Sequence, residues 1–90
     1  MIMKLDYEHF VRLLKDKLPP NFKDLEIKPY YTLKEDLLLN SILFYSLLVD
    51  IEMAFNITFK TVTMDANEYR TVGNLTEYIN CLLEEATNEG

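Results

Sequence analysis

The stretch Asp36-Leu37-Leu38-Leu39-Asn40-Ser41-Ile42 runs directly into a long apolar segment, residues 43–55, whose only charged side chains are Asp50 and Glu52. Placed at ~100° intervals, Phe44, Leu47, Leu48, Ile51 and Phe55 fall on one face, the core stripe of an α-helix over about 41–55. Ile42, Tyr45, Val49 and Met53 fall elsewhere and make a second apolar strip beginning beside Ser41, bordered by Ser46, Asp50 and Glu52. A helix that is apolar nearly all round is either fully enclosed or presents a contact surface, and a small domain cannot easily bury every face. The pattern therefore favours a docking strip, with Ile42 and Tyr45 packed under a neighbouring loop as the rival arrangement. Asn40 is a strong N-cap residue, and with Asn40 capping, Ser41 sits in the first turn with its hydroxyl facing solvent; otherwise Ser41 is itself the cap. A phosphate ester on Ser41 would be well placed, because helix starts offer unpaired amides and a partial positive charge.

Helical spacing governs most of the remaining chain. Asp6 caps a first helix over about 6–18, in which Tyr7, Phe10, Val11, Leu14 and Leu18 form one stripe, and Pro19-Pro20 ends it. Near the other end Thr71 caps a helix over about 72–86, with Val72, Leu75, Ile79, Leu82 and Ala86 on one face and Cys81 opposite. Residues 19–40 form a long connection that needs anchoring, for which Leu25, Ile27, Tyr30, Tyr31, Leu33 and Leu37 are suited. Within it, Thr32-Leu33-Lys34-Glu35 fits a capping box that could start one helical turn. Between Phe59 and Arg70 there is room for only a short helix, about 65–69, capped by Asp65 or Thr63.

Ninety residues suffice for one domain over 1–90, and a chain of this length buries only about 60–65% of its unfolded surface. One cysteine, Cys81, excludes an internal disulfide framework and a cysteine-based zinc site, which fits a reducing cytoplasm. Met1-Ile2-Met3-Lys4-Leu5 gives way to Asp6 and Glu8 too early for a signal peptide, and the apolar run 37–49 is shorter than the roughly 18 residues of a membrane span. Fifteen acidic against nine basic residues give a net charge of −6, which repels a phosphate backbone and argues against nucleic acid. The same balance suits partners with basic docking patches, or serves solubility alone. Catalytic chemistry is sparse. A serine nucleophile needs a base, and His9, the only histidine, lies early in the first helix as a surface or boundary residue. Asp36, Asp50, Glu52 and the Glu84-Glu85 pair are too scattered to make a metal site.

Residues 36–42, followed by Leu47-Leu48-Val49-Asp50-Ile51-Glu52-Met53-Ala54-Phe55-Asn56-Ile57, resemble the acyl and peptidyl carrier protein family. That family carries an Asp-Leu-Gly-x-Asp-Ser-Leu motif, a helix of the form Leu-Val-x-x-Leu-Glu-x-x-Phe, and then an Ile-x-Ile or Ile-x-Phe segment. Ile57-Thr58-Phe59 fits the last element, and Tyr69-Arg70-Thr71-Val72-Gly73-Asn74-Leu75-Thr76-Glu77-Tyr78-Ile79 resembles the family's final helix. The resemblance implies an all-α, right-handed four-helix bundle with three long helices, one short one, and a long loop between the first two. It also implies a non-enzymatic monomer in which Ser41 carries a 4′-phosphopantetheine arm, added from coenzyme A by a separate phosphopantetheinyl transferase. The arm's thiol holds an acyl or aminoacyl group as a thioester, and loading and condensing enzymes dock on the second helix and the loop before it. On that basis Asn40, Ile42, Tyr45, Val49, Asp50, Glu52 and Met53 are the partner-facing residues.

Several positions depart from the family pattern. Asn40 replaces the usual aspartate, removing a charge that would face basic residues of the transferase; Leu38 replaces the common glycine; and Leu43 and Met53 stand where fatty-acid carriers are often acidic. The greasier docking helix points to a specialised pathway of polyketide, nonribosomal peptide or related acyl transfer. Two alternatives remain: a carrier of primary fatty-acid synthesis, and a helical adaptor that keeps the fold without being modified.

Overall fold

A computed structural model describes residues 5–60 and 62–88. Residues 1–4, on which the signal-peptide reading partly rests, and the outer limits of the expected 1–90 domain lie outside the described residues. Within them the fold is all-helical, with α1 at Tyr7–Lys15, α2 at Ser41–Phe55 and α3 at Val72–Asn88, and single 3₁₀ turns at Pro20–Phe22 and Asn67–Tyr69. No described helix is long and apolar enough to cross a membrane.

Each α-helix starts where the sequence supplies a cap. The Asp6 carboxylate accepts the His9 amide at 3.2 Å, Asn40 Oδ1 accepts the Leu43 amide at 2.9 Å, and Thr71 Oγ1 accepts the Asn74 amide at 3.1 Å. α1 is shorter than the expected 6–18. Its α-helical ladder stops at Lys15, and Lys17 and Leu18 close tighter turns onto Leu14 and Lys15 ahead of the prolines. α3 begins as expected and extends two residues further, but Ala86 is exposed while Leu83 is buried, because the inward stripe runs through Leu82 and Leu83 rather than ending on Ala86.

The core is built from Phe10 and Leu14 of α1, Phe44, Leu47, Leu48 and Ile51 of α2, and Val72, Leu75, Ile79 and Leu82 of α3. The ring of His9 lies 5.2 Å from that of Phe55, and Lys17 pairs with Asp50 at 2.7 Å, so the start of α1 faces the end of α2. Phe55 is only partly buried, the edge of its stripe rather than its centre. An aromatic cluster closes the bundle: Tyr69 meets Phe44 edge-on at 4.8 Å and also contacts Phe59 and Tyr78.

The expected short α-helix over 65–69 is the 3₁₀ turn Asn67–Tyr69, and neither Asp65 nor Thr63 caps it with a side chain. The turn before it closes through the Thr63 carbonyl, and Tyr69 is drawn fully into the core, which leaves no room for a longer helix. The connection from 16 to 40 is anchored by Ile27, Leu33, Leu37 and Leu39, with Leu25 and Tyr31 partly buried. Tyr30 is a correction, since it stands 69% exposed with its ring edge-on to Tyr31. The connection is also stitched to the start of α3: Leu33 N–H donates to Arg70, Val72 N–H to Tyr31 and Gly73 N–H to Pro29. Gly73 eases that approach, because a Cβ there would lie 3.1 Å from the Pro29 carbonyl oxygen, a tight contact that the backbone would have to relieve by shifting.

Candidate functional site

The approach to Ser41 is pinned by hydrogen bonds. Thr32 and Asp36 cap one another, the Thr32 amide donating to the Asp36 carboxylate at 2.8 Å and the Asp36 amide donating to Thr32 Oγ1 at 2.9 Å. This reciprocal pair replaces the expected Thr32–Glu35 box. Glu35 is one position short because the segment is a wide turn, closed by Leu37 N–H to the Thr32 carbonyl and Leu39 N–H to the Leu33 carbonyl, and not a helix. Leu37 and Leu39 plug into the core on either side of Leu38, which turns outward with φ 60°. Asn40 then takes the capping role, leaving Ser41 as the first helical residue of α2 and exposed to solvent.

The side chains on the outer face of α2 are those the sequence singled out. Ile42 is 78% and Met53 79% exposed, and Tyr45 and Val49 are about half exposed, so Ile42 and Tyr45 do not pack beneath the long loop. Asp50 and Glu52 are used differently from these four. Asp50 pairs with Lys17, whose ammonium pKa is pushed up chiefly by that hydrogen bond. Glu52 accepts the Phe59 amide at 2.8 Å and so fastens the segment after α2. Both carboxylates are engaged within the fold, and the strip between them is apolar.

Burial, reinforced by the nearby Tyr78, Glu68 and Glu52, pushes the phenol of Tyr69 well above its ordinary range, which suits its place in the core. The core members that reading the sequence missed are Leu39, Ile57, Phe59, Tyr69 and Leu83. Tyr69 hides in a short irregular segment, and Leu39 sits in a run of three leucines with no periodicity to sort them.

The chain's one histidine does not reach Ser41. His9 is held against Phe55 at the far end of α2, about 20 Å away along the helix axis at 1.5 Å per residue. Cys81 is exposed on α3. The described residues contain no group of three or more metal-ligating side chains. Ser41 thus stands exposed at a helix start, beside an apolar strip and after a loop pinned by hydrogen bonds.

That is the arrangement of a carrier domain. A family model described as "Phosphopantetheine attachment site" matches residues 21–79, well over half of the chain and including all of α2, and the chain belongs to that family. No curated protein and no solved structure matches it. Domains of this family are carriers rather than catalysts; they hold 4′-phosphopantetheine covalently and work with a phosphopantetheinyl transferase and with pathway enzymes.

Proposed function

We propose that Ser41 is the attachment residue and that the chain is an acyl or aminoacyl carrier of a specialised biosynthetic pathway. The observation that carries the first part is the division of labour at the start of α2, where Asn40 takes the cap and frees the Ser41 hydroxyl for solvent. A phosphodiester fits there, since it would stand at the positive end of the α2 dipole with no carboxylate in the first turn. When bound, the arm supplies a thiol on which cargo is carried as a thioester. The chain's own residues hold the arm's root fixed, leave the hydroxyl reachable, and offer Ile42, Tyr45, Val49 and Met53 as a contact surface. On this reading the 3₁₀ turn at Asn67–Tyr69 stands in place of the short helix of a four-helix carrier bundle, and the domain works as a monomer in the cytoplasm.

The specialised pathway is supported by the outer face of α2. Residues 37–49 contain no charge, and the two acids further along are tied to Lys17 and Phe59, so this surface suits partners that dock by apolar contact. The test is intact mass after incubation with coenzyme A and a broad-specificity phosphopantetheinyl transferase. The parent gains one phosphopantetheinyl group and the Ser41→Ala variant gains none. A folded parent that gains nothing with two different transferases would instead support the unmodified adaptor.

A further inference from the structure

Among the described residues two non-glycine positions have left-handed backbone, Leu38 at φ 60° and Asn56 at φ 56°. Asn56 is readily explained. It ends α2, its N–H donates to the Glu52 carbonyl, and asparagine tolerates that conformation better than most residues. Leu38 has neither justification. A leucine in this region crowds its Cβ against the backbone, and glycine or asparagine would relieve the strain. The conformation also sends the side chain out of the fold: Leu38 is 56% exposed between the buried Leu37 and Leu39, and it is not among the side chains packed on the core. The fold thus carries a strained backbone and an exposed apolar group at one residue, three positions before Ser41.

We propose that Leu38 is a specificity-determining contact for the transferase that modifies Ser41, its side chain entering an apolar pocket of that enzyme. The inference rests on the reading of Ser41 given above. In the transfer, Ser41 Oγ forms a new bond to the β-phosphorus of coenzyme A, the pyrophosphate bond breaks, adenosine 3′,5′-bisphosphate leaves, and the hydroxyl proton passes to a base on the transferase. The chain's one histidine cannot take that proton, because His9 lies at the other end of α2. An enzyme that brings a phosphorus atom to Ser41 Oγ must cover the side chains standing beside it; the exposed ones include Leu38, Asn40 and Ile42, with Tyr45 one turn along. Asn40 is neutral and its side-chain oxygen is occupied by the Leu43 amide, and Asp36 is engaged with Thr32. With no charge from 37 to 49, apolar contact through Leu38 and Ile42 is what this surface offers for recognition.

The test is steady-state loading of the full chain at saturating coenzyme A by whichever of a panel of phosphopantetheinyl transferases has the lowest KM for the parent, comparing the parent with Leu38→Gly, Leu38→Asn and Leu38→Met. Glycine and asparagine keep the left-handed backbone and remove the apolar contact, whereas methionine keeps the contact. The KM for the Gly and Asn variants should rise about tenfold, the factor for withholding roughly half a leucine side chain from burial, with kcat unchanged. The Met variant should stay close to the parent, and the melting temperature of the Gly variant should rise by about 3–5 °C. Gly and Asn variants with KM within about twofold of the parent would overturn the inference and leave Ser41 as the attachment residue. So would a Met variant impaired as much as the Gly variant, because an apolar side chain would then not be what is read. A parent that is not loaded at all overturns this inference together with the reading beneath it.

Discussion

The two faces of α2 have nearly the same composition and opposite surroundings. Phe44, Leu47, Leu48 and Ile51 are enclosed by α1, α3 and the 16–40 connection, while Ile42, Tyr45, Val49 and Met53 stand in water. α1 follows the ordinary rule, with Phe10 and Leu14 inside and Glu8, Arg12 and Asp16 outside. The contrast teaches that hydrophobicity on α2 serves two purposes. One face stabilises the bundle, and the other, on the proposed reading, is held out in water for a partner surface to cover.

The largest expected effect separates the faces directly. Phe44→Ala should lower unfolding free energy by about 3–5 kcal/mol, because it opens a cavity beside Tyr69 that the packed aromatic cluster cannot close. Met53→Ala should change it by no more than about 0.5 kcal/mol. Urea unfolding of both variants measures the difference, and a Met53 effect approaching that of Phe44 would break the comparison by making the outer strip part of the core.

A smaller effect tests how the outer face is delivered. Asn40→Ala should cost about 1 kcal/mol through loss of the cap on the Leu43 amide, whereas Asn40→Asp keeps the cap and adds a charge favourable at a helix start. Thermal melts should rank the parent and the Asp variant together above the Ala variant. Loading assays should find Asn40→Asp at least as good a transferase substrate as the parent.

The pairing of α1 with α2 should matter least. The Asp50 side chain of the Lys17–Asp50 pair is 35% exposed to water, so after allowance for screening Lys17→Met should cost under about 1 kcal/mol. Its pH dependence has a fixed sign. The Lys17 pKa is raised in the folded state by the Asp50 hydrogen bond, so the contribution is complete below the unfolded lysine value and is lost as pH rises above about 10. Tyr69 acts in the same direction. Its phenol is held protonated by burial, and the unfolded chain ionises first, so stability falls from about pH 10 upward. Unfolding free energy measured at about pH 8 and about pH 11 should drop, and a flat profile would contradict both assignments.

Much of this was legible in the sequence because α-helices announce themselves twice, by cap residue and by period. Asp6, Asn40 and Thr71 each cap the helix assigned to them, and both stripes of α2 fall where the 100° spacing puts them. Ser41 was legible as an exposed first-turn residue for the same reason. The irregular segments were less so, because backbone hydrogen bonds to distant residues decide their shape. Pro29, Tyr31 and Leu33 are tied to Arg70, Val72 and Gly73 across the fold, and nothing local in 19–40 encodes that register. The Thr32–Asp36 pair, one residue longer than a capping box, and the exposure of Tyr30 follow from it. The left-handed turn at Leu38 was hidden as well, since leucine carries no preference for that conformation.

On the proposed reading Ser41, and not merely this domain, receives the arm. The chain has two serines, and Ser46 lies in mid-helix, partly buried, one turn and a half along α2. Fragmentation mass spectrometry of the protein loaded from coenzyme A separates them directly. The phosphopantetheinyl mass is expected on fragments that contain Ser41 and exclude Ser46. The same mass retained on Ser46, or on a Ser41→Ala protein, would contradict it.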